Sequence, residues 1–143
     1  MDDHDFLRRA IALAEQARAQ GDPPFGSLLV SAAGVVLAEE RNTAVTDRDV
    51  TAHPELKLAR WAARELPPDQ LRTTTMYTSC QPCPMCANAI ARASLARVVY
   101  ALSTQQLQGL KPPGFINPDS APVDYSGPHL PDEARAPLDG YYI

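Results

Sequence analysis

The sequence predicts an α/β fold, a three-layer α/β/α sandwich around a mixed central sheet. Three observations predict it. Segments of helical apolar period alternate with short β-rich runs, in the order helix, hairpin, helix, strand, helix, strand. The alternation after the hairpin implies parallel pairings joined by right-handed crossovers. The chain has 143 residues, 45% apolar and 21% charged, which suits one domain built on one core.

The elements follow in order. Phe6 to Gln20 carries an apolar stripe of Phe6, Leu7, Ala10, Ile11, Leu13, Ala14 and Ala17, and Gly21 stops it. After the turn Asp22-Pro23-Pro24, residues 25–32 form an apolar run suited to a buried strand. Ala33-Gly34 turns the chain, and residues 35–40 supply the second arm of a hairpin. Residues 41–51 are polar and read as a loop. A helix spans residues 53–66, with Thr51 or Ala52 near its N-cap, Pro54 in its first turn and Pro67-Pro68 ending it. Residues 73–79 are β-rich, 83–93 form an Ala-rich helix, 96–102 a strand around Val98-Val99-Tyr100, and 103–110 a further helix.

The whole of 1–143 is expected to be one domain, in which 111–143 is a proline-rich tail packing on the body or on a partner subunit. Phe115, Tyr125, Tyr141 and Tyr142 give that tail reason to pack, and residues 132–142 read as a last short helix. Net charge is -4, which disfavours a broad phosphate-binding surface, so a small-molecule partner is expected rather than a nucleic acid. No apolar run approaches the roughly 18 residues of a membrane span, and the acidic start lacks the basic region of a secretory signal. Three cysteines within seven residues do not make a disulfide framework, and the cytoplasm is the expected compartment.

The chemistry concentrates in two places. Cys83 and Cys86 are spaced i, i+3 at the start of a helix, where free N–H groups and the helix dipole favour thiolates. His53 opens the preceding helix, and Glu55 follows two residues later. Two thiolates and an imidazole make a three-ligand Zn2+ site with its fourth position open, leaving Glu55 to move protons. Histidine-x-glutamate followed by Pro-Cys-x-x-Cys is the signature of zinc-dependent nucleobase deamination. A rival reading closes the site with Cys80 as a fourth ligand, giving a non-catalytic, zinc-stabilised binding module. A redox Cys-x-x-Cys leaves His53 and Glu55 without a role. Cys80 itself reads as a buried apolar filler.

With those residues in view, the chain resembles the cytidine/deoxycytidylate deaminase superfamily. It is most similar to the purine-deaminating branch of bacterial guanine deaminases and tRNA adenosine deaminases. The resemblance runs from Phe6 to Leu102. Its carriers are Pro24-Phe25-Gly26, Asn42, Thr51 to Glu55, Tyr77 to Cys80, and Pro82-Cys83-Pro84-Met85-Cys86. It implies zinc on His53, Cys83 and Cys86, Glu55 as catalytic proton shuttle, Asn42 as a ligand to the base, and a homodimer.

The expected activity is hydrolytic release of ammonia from a free nucleobase or nucleoside, with an aminopurine such as guanine first. The alternatives are a tRNA adenosine deaminase and a cytosine or cytidine deaminase. Substrate-binding candidates are Asn42, Phe25, Pro54, Pro82, Asn117 and Tyr142. Phe25 opens a strand, so it reads equally as pocket wall and core, and Tyr142 reads as a lid or as simple packing. Three departures from the family pattern bear on the substrate. Pro54 stands where alanine is common and removes a backbone donor. Gly114-Phe115 is followed by Ile116-Asn117, with the first acid at Asp119. After the last predicted strand residues, Ala101 to Thr104 lacks the Ala-Arg-Asp-like turn of the tRNA enzymes.

Overall fold

The computed structural model describes residues 1–143, in two units, Met1–Lys111 and Pro112–Ile143. The first holds α1 (Asp3–Ala19), β1 (Gly26–Val30), β2 (Val36–Arg41), α2 (Pro54–Glu65), α3 (Pro68–Thr73), β3 (Thr75–Cys80), α4 (Pro84–Arg92), β4 (Arg97–Leu102) and α5 (Thr104–Gly109). Helix α1 begins three residues earlier than its apolar stripe, because Asp2 and Asp5 close a reciprocal capping box with 3.0 Å bonds to each other's backbone N–H. The short α3 lies where the sequence reading ended one helix and placed nothing more.

The four strands are ordered β2-β1-β3-β4. Strand β1 is antiparallel to both β2 and β3, and β3 is parallel to β4. The sheet is mixed, as expected, but only one adjacent pair is parallel. The crossover through α2 does return β3 in the direction of β2; β1 lies between them and takes the hydrogen bonds of both.

Every residue of β1 is buried, because the strand is covered on both faces. Leu28 and Val30 face α1, packing with Phe6, Ala10 and Tyr77. Leu29 faces the other way, into Leu58, Ala59 and Ala62 of α2, Met76 of β3 and Ile90 of α4. This period-2 division of one strand between two cores makes the three layers. At Gly26 the sheet meets α1 so closely that an added Cβ would lie 2.5 Å from the Ala10 carbonyl oxygen and 2.5 Å from Leu13 Cβ.

The second unit holds a 3-10 turn at Pro118–Ser120, α6 (Pro131–Arg135) and a further 3-10 turn at Ala136–Leu138. The helix expected over 132–142 is thus shorter, since Pro137 interrupts it after its first turns. Asn117 caps the first turn, its Oδ1 accepting from Asp119 N–H at 3.0 Å. Tyr141 and Tyr142 stack edge to face, with ring centroids 4.9 Å apart.

Candidate active site

Two helices begin in the same way at one edge of the sheet. His53 is the N-cap of α2 and is followed by Pro54 at the first helical position. Cys83 is the N-cap of α4 and is followed by Pro84. Proline suits that position, its fixed φ matching the helix and its missing N–H being one that the helix would leave unpaired. The N-cap of α2 is therefore His53 itself, not Thr51 or Ala52. Cys86 lies one turn into α4 and is fully buried.

The imidazole and the two thiols converge. His53 Nδ1 lies 3.6 Å from Cys83 Sγ and 3.5 Å from Cys86 Sγ. One ligand atom from each of the three falls within 4.8 Å of the others. The two thiols titrate as a pair. The Cys83 thiol is brought down to about 4 by its hydrogen bond with Cys86, against burial and with the help of His53 beside it. Cys86 is pushed up by that same bond, by burial and by the charge of Glu55. The donor set of two sulfurs and one imidazole fits zinc, which would replace the shared proton on binding. Cys80 stands outside this cluster, so the grouping of donors is that of the three-ligand reading.

Glu55 occupies the first turn of α2 and is only 6% exposed. Burial pushes its carboxyl up to about 7, with the Cys83 charge adding to the shift. Its own backbone N–H, His53 and the Ser27 hydroxyl pull the other way. A carboxyl poised near neutrality accepts and returns a proton with little driving force lost in either direction.

These groups line a pocket with about 350 Å³ of empty space, its open mouth included. Phe25, Asn42 and Pro54 form part of the wall beside His53, Glu55 and Cys83. Phe25 and Asn42 meet because they leave the open end of the β1–β2 hairpin together: Gly26 pairs with Arg41, and Asn42 N–H donates to the Phe25 carbonyl at 3.0 Å. Asn42 is 1% exposed, and its Oδ1 accepts from Ala44 N–H at 2.8 Å.

Three wall residues were not anticipated: Cys80, Gln81 and Leu107. Cys80 is the last residue of β3, so its side chain reaches the sheet edge instead of filling the core, and burial raises its thiol. Gln81 is held there by two bonds, its N–H to the Leu102 carbonyl at 2.8 Å and its Oε1 from Thr104 N–H at 3.0 Å. Pro82 lies instead along a neighbouring groove with Ala87, Ile90, Val98 and Tyr100, and Gln81 lines both. Asn117 and Tyr142 belong to the Pro112–Ile143 unit.

One buried acid outside the expected set shapes the wall. Asp22, 5% exposed, accepts from Val45 N–H at 3.0 Å, Thr46 N–H at 2.8 Å and the Thr46 hydroxyl at 2.6 Å. Those bonds, the Thr46 hydroxyl's foremost, hold its carboxyl below the ordinary range. On the other side of the same loop, Lys57 bridges Thr43 Oγ1 at 3.0 Å and Glu40 Oε2 at 2.9 Å. The loop that follows Asn42 is thus fastened twice.

Comparison with known proteins agrees with this arrangement. Residues 1–102 match the family model of the cytidine and deoxycytidylate deaminase zinc-binding region. A probable cytosine deaminase of Schizosaccharomyces pombe is 34% identical over 149 aligned positions, covering 96% of this chain and 90% of the relative. Guanine deaminase of Bacillus subtilis is 42% identical over 102 residues, covering 71% of this chain and 65% of the relative. A crystal structure of that guanine deaminase superposes with a TM-score of 0.81 at 31% identity, over 99% of this chain and 94% of that one. The tRNA-specific adenosine deaminase of Haemophilus influenzae is 35% identical over 101 residues, covering 71% of this chain and 58% of the relative. The match to these last two sequences thus spans less than two thirds of their length.

Proposed function

This chain belongs to the cytidine and deoxycytidylate deaminase family, a zinc-dependent hydrolytic deaminase by that membership, and we propose that its substrate is a free aminopurine base or its nucleoside, guanine foremost. The observation that carries the proposal is a small pocket that Phe25, Asn42 and Glu55 line together. Such a space takes one heterocycle, and an amide beside an aromatic ring offers hydrogen bonds along the ring edge and contact with its face. The superposition with guanine deaminase over nearly the whole chain supports the purine preference.

His53, Cys83 and Cys86 would hold the zinc ion, which when bound supplies the Lewis acid that makes water a nucleophile at neutral pH. Glu55 is placed to take a proton from the attacking water and deliver it to a ring nitrogen, then to take the remaining proton of the added hydroxyl and pass it to the departing amino group, which leaves as ammonia while the ring carbon keeps the oxygen as a carbonyl. Burial keeps Glu55 able to do both, since its carboxyl titrates near neutrality. Asn42 orients the base, Phe25 covers its face, and Pro54 limits the pocket without offering a backbone donor.

The remaining parts of the reading rest on the same family. In this reading 1–143 is one functional domain with a proline-rich tail at 111–143, and Asn117 and Tyr142 are the tail's proposed substrate-binding residues. A homodimer is the proposed assembly; the exposed apolar groove of Pro82, Ala87, Val98 and Tyr100 supports an association surface. The cytoplasm is the proposed compartment, supported by three free cysteines, and no helix is long and apolar enough to cross a membrane.

Cytosine is the second reading, favoured by the match to the probable cytosine deaminase across 96% of this chain. A tRNA substrate is disfavoured by the net charge of -4. Ammonia release measured on guanine, adenine, cytosine and their nucleosides tests the proposal. Fastest turnover of guanine or guanosine is expected. Fastest turnover of cytosine would replace the proposal with the second reading, and turnover of tRNA alone would overturn both.

A further inference from the structure

The face of the sheet that meets α2 is apolar at its centre, where Leu29 of β1 pairs with Met76 of β3. One pair further toward the pocket, the same face changes character. Ser27 pairs with Thr78, both are fully buried, and Ser27 Oγ lies 2.7 Å from Thr78 Oγ1. A strand buried on both faces is ordinarily apolar throughout, and two hydroxyls there give up water for each other. Ser27 Oγ has a second contact that a simple cross-strand bond does not require. It lies 3.5 Å from Glu55 Oε1. That spacing is the loose one common in catalytic contacts before substrate binds.

We propose that Ser27 is a positioning residue for Glu55, its hydroxyl holding one carboxylate oxygen so that the other is presented to the reacting atoms. Each of the two hydroxyls carries one proton, and Ser27 Oγ can accept from Thr78 while donating to Glu55 Oε1. Thr78 has a second acceptor, the Gly26 carbonyl oxygen at 3.5 Å. The Ser27 proton is therefore left for Glu55 whichever way the Thr78 hydroxyl turns, and all four residues are buried.

The inference rests on Glu55 as the proton shuttle, and the experiment separates the two. Ser27→Ala and Thr78→Val both remove the Ser27–Thr78 bond, but only Ser27→Ala removes the donor to Glu55. Each variant is loaded with zinc and compared with Glu55→Gln for kcat, KM, metal content and Tm. Ser27→Ala is expected to lose about tenfold to a hundredfold in kcat, the cost of a misplaced catalytic group, with KM and zinc content near those of the parent. Thr78→Val is expected to keep kcat within about twofold, with a Tm shift close to that of Ser27→Ala. Equal losses of kcat in Ser27→Ala and Thr78→Val would reduce the pair to a structural bond and overturn the inference. Parental kcat in Ser27→Ala beside an inactive Glu55→Gln would overturn it while leaving the shuttle intact. Parental turnover in Glu55→Gln would overturn the shuttle and the inference with it.

Discussion

The Asp22 carboxylate grips Thr46 twice, taking its backbone N–H at 2.8 Å and its hydroxyl at 2.6 Å, and so fastens the turn before β1 to the loop after β2. Asn42 stands at the start of that loop, so the position of a pocket-lining amide depends on an acid twenty residues earlier. Asp22→Ala is expected to raise KM by about tenfold while lowering kcat less, because the wall moves and the Glu55 chemistry does not. Steady-state kinetics on the preferred substrate checks this. A fall in kcat at constant KM would assign Asp22 elsewhere.

Metal content discriminates the ligand set. Cys83→Ala removes one of the three clustered donors and is expected to lose most of its zinc at equilibrium with a competing chelator. Cys80→Ala is expected to retain a full equivalent, since Cys80 lies outside the cluster. Loss of zinc in Cys80→Ala would restore the closed four-ligand site.

Gly26→Ala tests the closest approach in the fold. Its Cβ would meet the Ala10 carbonyl and Leu13 Cβ at 2.5 Å and the Ala14 nitrogen at 2.7 Å, all in or beside the backbone of α1. The helix must shift, at an expected cost of about 3 kcal/mol, read from urea unfolding. A neutral result would show that α1 rides freely over the sheet.

The buried Glu55 carboxyl gives a pH signature in zinc-free protein. Its folded value, about 7, stands above the ordinary 4.5, so the folded state binds its proton more tightly than the unfolded chain does. The resulting stabilisation is complete below pH 4.5 and is lost as pH rises to 7. Glu55→Gln lacks this dependence, so its stability relative to the parent should rise by about 3 kcal/mol across that window. A flat difference would mean that Glu55 is solvated.

The metal-binding part of the site was legible because its residues are close in sequence. His53 with Glu55, and Cys83 with Cys86, each occupy one helix start, and the prolines beside them mark those starts. The layers were legible from the alternation of periods, since Leu28 and Leu29 cannot face the same way. What stayed hidden depends on strand register. Nothing near Ser27 in sequence announces Thr78 or Glu55, and a serine in an apolar run reads as a mild imperfection. Asp22 next to two prolines reads as an ordinary turn residue. Cys80 was misread because burial was inferred from residue type, whereas its place at the strand end decides. The parallel pairings were overcounted because the crossover fixes the direction of β3, while its neighbour is set by where β1 lies.

The hairpin that carries Phe25 and Asn42 at its open end has an irregularity at its other end, where the register slips between Leu29 and Val30 before the turn at residues 31–35. A slipped joint separates the turn from the pocket mechanically. Length changes in the turn are taken up at the slip, and the Gly26–Arg41 pairing keeps the two wall residues opposed. The outer turn is therefore the natural place to splice in a reporter peptide or an affinity handle, with the pocket left in register.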